Sequence, residues 1–224
     1  MSERDEIRGE ELFCACVTGD RRTARAMVSS WREEGAGAHE LIVDVVWPTI
    51  ARVLELHRAD QISEVAHHYA ARILRQVAAG LALSVEREAQ SGQKVLLLCG
   101  DDDAEEASAQ VIADLLECDG HEVLFAGAGL AVDDILAEIG SRSADILLLF
   151  AGSAADAPRT RQIIDFVREM DAWPDLRIVV GGGVFARAEG LADEILADAC
   201  ADDPISLLVA LSTVPDRPRR AKAA

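Results

Sequence analysis

The sequence lacks most of the short signatures that announce an enzyme or a membrane protein. It has no Cys-x-x-Cys pair, no P-loop, and no recognisable nucleophile elbow around a serine, cysteine or histidine. Zinc fingers, P-loop hydrolysis of nucleotides and α/β-hydrolase chemistry each need their groups at a fixed spacing, so all three are set aside and no independent enzymatic activity is expected. No apolar run approaches the roughly 18 residues that span a bilayer, and the opening MSERDEIRGE is polar and acidic, unlike a signal peptide. A soluble, cytoplasmic protein is the expectation. The five cysteines (Cys14, Cys16, Cys99, Cys118 and Cys200) are odd in number, which argues against a disulfide framework. Positive charge is scarce as well: 22 Lys and Arg face 40 Asp and Glu, for a net charge of −18. Such a field repels phosphate backbones, which disfavours direct DNA or RNA binding and leaves a protein partner open.

What is present is apolar and strongly patterned. Half of the 224 residues are hydrophobic, enough for one large domain or two small ones. Residues 1–90 carry helical spacing throughout. Leu12, Phe13, Cys16 and Val17 share one face, and Ala24, Met27, Val28 and Trp31 another. His39–Leu56 repeats apolar residues from Leu41 to Leu54, with Pro48 either starting a new helix or kinking the old one, and Ile62–Glu88 continues from Val65 to Val85. Four or five such helices joined by short loops predict a helical bundle. The polar break at 89–93 is the best boundary, giving a bundle domain at 1–90, a second domain at 91–213 and a basic, flexible tail at 214–224.

Beyond the break, strands and helices alternate: strand 95–99, helix 104–118, strand 121–125, helix 131–140, strand 145–150, helix 158–170, strand 176–180, helix 187–197, a short strand near 198–201 and helix 204–212. Runs such as Val95–Cys99 are apolar without alternation, the mark of strands covered on both faces. The fold class is therefore α/β, an all-α cap followed by a flavodoxin-like, Rossmann-like parallel sheet. Ligands of open parallel sheets sit at the carboxyl ends of the strands, which points to the loop Asp101–Ser108.

Many functions share that sheet. A phosphoacceptor receiver would use Asp101 and Asp102 to hold Mg²⁺, but it also needs an aspartate ending the third strand and a lysine ending the fifth. The third strand ends in Leu149-Phe150-Ala151-Gly152, and residues 176–210 hold no lysine. The stretch from Lys94 to Leu211 instead resembles the cobalamin-binding domain of methionine synthases, corrinoid proteins and B12-dependent photoreceptors. The resemblance places that family's Asp-x-His-x-x-Gly motif on Asp103–Ser108. Asp103 matches, Glu105 stands for the histidine that ligates cobalt from below, and Ser108 stands for the glycine. The family's Ser-x-Thr or Ser-x-Leu, which receives the nucleotide tail, falls on Phe150-Ala151-Gly152, with Ser153 one residue late. The paired glycines after the fourth strand survive as Gly181-Gly182-Gly183.

The helical half adds a second likeness, to the cap of light-sensing B12 regulators and antirepressors with their Trp-x₉-Glu-His. From Pro48 onward that layout falls without a gap on His57, His67 and His68. The resemblance implies that at least one of these histidines contacts a tetrapyrrole, with His57 and His68 as its metal ligands. It implies cobalamin, with biliverdin or haem as alternatives, and a sensor or transcription regulator that docks on another protein, with homo-oligomers open. The rival reading is the corrinoid protein of a methyltransferase system; a third is an interaction module without a ligand.

Overall fold

The structure is a computed structural model that describes residues 2–201 and 203–213. The expected tail at 214–224 lies outside the described residues. The chain divides into two compact units: one takes the chain up to Arg87 together with Asp102–Cys118, the other takes Glu88–Asp101 and the chain from Asp119 on.

The first unit is helical. α1 (Glu3–Val17) begins with a capping box in which Ser2 and Asp5 satisfy each other's backbone amides. α2 (Arg21–Glu33) is capped by Asp20, which accepts from the Thr23 amide at 3.0 Å. α3 (Ala38–Leu41) and α4 (Trp47–Arg58) form one continuous rod through a π-helical segment at Ile42–Val46. Pro48 accounts for this: without an N–H it cannot continue the helical ladder, and the Trp47 amide reaches back five residues to the Ile42 carbonyl. Thr49 repairs part of the ladder by donating its hydroxyl to the Val45 carbonyl at 2.7 Å. Pro48 therefore neither opens a separate helix nor bends this one sharply enough to end it.

α5 (Glu64–Ala82) starts at Ser63, whose Oγ accepts from the Ala66 amide. After the first strand of the second unit, β1 (Lys94–Cys99), comes α6 (Asp103–Cys118), whose Val111 and Leu115 lie in the same core as Leu12, Phe13, Val53 and Leu74. Alanines make the close fit possible: Ala104 and Ala107 on α6 and Ala70, Ala71 and Ala78 on α5 are all buried. Helix 104–118, expected with the α/β domain, thus belongs with the bundle by its contacts.

The second unit is a five-stranded sheet in the order β2-β1-β3-β4-β5, parallel throughout. Its further elements are β2 (Glu122–Gly127), α7 (Val132–Arg142), β3 (Ile146–Phe150), α8 (Ala157–Met170), β4 (Arg177–Gly181), α9 (Gly183–Arg187), α10 (Leu191–Glu194), β5 (Ala199–Ala201) and α11 (Pro204–Thr213). Leu96, Leu98, Leu147, Leu149, Ile178 and Val180 share one core with α7 and α8, while Val95, Leu97, Ile146, Leu148 and Val179 on the opposite face are equally buried. That double burial is why these strands read as unbroken apolar runs. The expected helix 187–197 is shorter: α9 starts earlier and ends at Arg187, and only α10 falls within the stretch. Gly190, at φ +81°, starts α10, and Leu196, at φ +61°, closes it.

Leu74 is fully buried in the bundle core. Leu74→Ala is expected to cost about 2–5 kcal/mol, seen as a lower urea midpoint at unchanged slope.

Candidate functional site

Asp102, just ahead of α6, accepts at Oδ1 from the amides of Ala104 (2.9 Å) and Glu105 (3.2 Å) and so caps the helix. The same Oδ1 lies 3.4 Å from Nε2 of His67, which has no solvent exposure. This is ion-pair distance without hydrogen-bond geometry, and both ring nitrogens of His67 are left without a hydrogen bond. The His67 ring stacks on that of His57, centroids 3.9 Å apart and planes within 5°. His57 Nε2 in turn sits 2.9 Å from Glu64 Oε2.

His68 points elsewhere. Its Nδ1 is 2.7 Å from Asp103 Oδ2 and its Nε2 is 3.3 Å from Glu64 Oε1, while Arg72 approaches the same Asp103 oxygen at 3.6 Å. The pair that the structure brings together with a third donor is therefore His57 and His67, not His57 and His68. Helical geometry explains the difference: adjacent residues on α5 point about 100° apart, so His67 turns into the bundle and His68 toward its surface.

The charges follow from this packing. Burial works against the Asp102 carboxylate, but His67 and the two helix amides outweigh it and bring its pKa down to about 2. Asp102 in return raises the pKa of His67 against the opposing effect of burial. Glu64 is lowered chiefly by its hydrogen bond to His57.

Two more residues of the Asp103–Ser108 stretch that the resemblance singles out are turned inward. Glu105 is buried, and Ser108, also buried, spends its hydroxyl on the Ala104 carbonyl at 2.8 Å. In the second unit, Phe150 is buried at the end of β3 with its ring beside Gly181. Gly182 has φ +101°, and a Cβ there would collide with the Ala151 carbonyl, so the chain's own backbone demands this glycine. Arg187, which sequence reasoning passed over, donates to the Gly152 carbonyl at 2.6 Å and covers Gly183. Ser153 accepts from the Ala155 amide at 3.1 Å within the turn that leads into α8. The cavity where β1, β2 and β3 end, lined by Gly100, Gly127, Phe150 and Thr160, measures about 30 Å³, room for about one water.

Comparison with known proteins identifies the lineage. The B12 binding domain family matches residues 93–206, and a second B12 binding domain family matches residues 9–81. The chain belongs to the B12 binding domain family. The fold is similar to that of the Methanosarcina barkeri monomethylamine corrinoid protein, at a TM-score of 0.80 and 15% identity over 93% of this chain and 99% of that one. A cobalamin-binding protein from Desulfitobacterium hafniense DCB-2 is similar at a TM-score of 0.50 and 17% identity, over 91% and 97% of the two chains. No curated protein matches the sequence.

Cobalamin is thus the cofactor that the lineage supports, and biliverdin and haem give way to it. The residues of this B12-binding chain do not fit its most familiar mode of attachment. Glu105, which the resemblance puts where an imidazole would ligate cobalt, is a buried carboxylate, and carboxylates suit harder metals. Asp103, which would orient that imidazole, is engaged by His68. Among the described residues, no helix is long and apolar enough to cross a membrane.

The pair Asp102 and His67 carries a pH signature. The unfolded carboxyl ionises above its ordinary 3.8 and the unfolded imidazole is charged below its ordinary 6.5, so the pair contributes fully between these values. Its contribution fades as the pH falls toward about 2 and as the pH rises through the raised His67 value. Asp102→Asn, which keeps a capping oxygen, is expected to lower Tm more at about pH 5 than at about pH 9. Equal losses at the two would show that the charge contributes nothing.

Proposed function

We propose that this chain is the corrinoid protein of a methyl-transfer system: it binds cobalamin and presents it to a partner enzyme without itself catalysing a reaction. What supports the reading is the co-occurrence of both B12 family matches, cap and sheet, on a fold that follows a corrinoid protein over nearly its whole length. The regulator reading drew on the cap spacing alone, and the three histidines at those positions are held by Glu64, Asp102, Asp103 and one another.

Cobalamin supplies a cobalt centre that takes up and releases one-carbon groups, and the chain's part is to hold and orient it. With Glu105 in place of the histidine, the chain would offer cobalt no imidazole from that helix, so a bound cobalamin would have to bring its own base. That mode would ask less of the strand ends, where Phe150 is buried and Gly181–Gly183 are already crowded by Ala201, Ala151 and Arg187.

The test is to mix the purified chain with excess hydroxocobalamin or methylcobalamin and separate bound from free by gel filtration. Near-equimolar cobalamin is expected to co-elute with a spectrum of the base-on form. A colourless protein fraction would refute the reading, and a base-off spectrum would refute the mode of attachment.

A further inference from the structure

One cluster is not absorbed by that reading. His57, His67 and Asp102 each bring a ligand atom to within 4.8 Å of the other two. His67 is wholly buried with neither nitrogen hydrogen-bonded. Its contact with the Asp102 carboxylate, at 3.4 Å, is too long and bent for a hydrogen bond, and a buried lone pair with no proton donor is what a metal ion satisfies. Two imidazoles and one carboxylate make a three-protein-ligand set that suits zinc-class ions and leaves a coordination position open. The arrangement also has outer support. Glu64 is in hydrogen-bond contact with the His57 ring, as carboxylates commonly are behind ligating histidines, and the amides of Ala104 and Glu105 fix the Asp102 carboxylate.

We propose that His57, His67 and Asp102 bind one divalent transition-metal ion of the zinc class, with water in the remaining position, separate from any corrinoid cobalt. The stacked rings direct their in-plane lone pairs along parallel lines, so ligation includes a turn of the His57 ring. His57 is the ring free to make it, with 27% of its side chain exposed, while His67 is held by packing. The same cluster without a metal is His67 in ion-pair contact with Asp102 and stacked on His57. The two states predict opposite results for added metal.

The experiment uses the full chain, free of corrinoid, chelated metal and any affinity tag. Co²⁺ is titrated in with excess Mg²⁺ present to occupy surface carboxylates, and visible d–d absorption is recorded. One equivalent of Co²⁺ is expected to bind with the intense bands of a four- or five-coordinate site, and Zn²⁺ is expected to displace it. His57→Ala, at a part-exposed position that leaves the core intact, is expected to weaken binding at least about tenfold and to abolish the rise in Tm produced by Zn²⁺. Asp102→Asn is expected to weaken Co²⁺ binding as well, while leaving its cap. Binding that is equal in the wild type and in His57→Ala, or no binding beyond what Mg²⁺ suppresses, would overturn the site. Since no corrinoid is present, that outcome leaves the cobalamin reading standing, and failure to bind cobalamin leaves this site standing.

Discussion

The arrangement depends on a helix that gives only one narrow polar stripe to water. α6 leaves Asp103, Glu106, Gln110, Asp114 and Glu117 part-exposed along one face and buries the residues between, from Ala104 and Glu105 through Val111 and Ile112 to Leu115 and Cys118. A helix with so broad a buried face is stable only where that face is covered. Its Val111 and Leu115 are claimed by the bundle core, and the small alanines let α5 run close beside it. Everything at its N-terminus is then fixed in place. Asp102 caps it, and Asp102 and Asp103 meet the histidines of the first turn of α5.

That constraint explains why one substitution has such reach. In a B12 binding domain the first residues of this helix are where a histidine would serve cobalt, and here they are a carboxylate turned inward and a hydroxyl bonded to its own helix. The aspartate that would have steered the histidine is engaged by one from the cap. Imidazole is concentrated on α4 and α5, where His57 and His67 stack and a third donor is close at hand.

The strands β1, β3 and β4 were legible as unbroken apolar runs, and the bundle helices as apolar residues at helical spacing, because burial on two faces or on one writes itself directly into the pattern. The partner of α6 was not legible. Its pattern says that a broad face is covered without saying by what, so the boundary near residue 90 assigned it by its place in the chain. The bounds of the expected helix 187–197 were hidden for a different reason: α9 ends at Arg187, Gly190 turns the chain at a positive φ, and Leu196 closes α10 with a positive φ that no spacing rule anticipates. Asp102 and His67 lie 35 positions apart, and only tertiary packing joins them. The one available signal was that Asp102 directly precedes an apolar helix, which marks a cap and nothing more. Glu105 and Phe150 were the informative positions in the sequence, since each departs from a pattern whose chemistry is known.

On the proposed function, cobalamin would be bound here with no protein imidazole below the cobalt. Electron paramagnetic resonance of the Co(II) form bound to protein labelled with ¹⁵N-histidine tests it most directly. Retention of the ¹⁴N superhyperfine pattern of cobalamin's own base, unchanged by the label, is the predicted result. A pattern that switches to that of ¹⁵N would place a histidine of the chain on the metal and contradict the account.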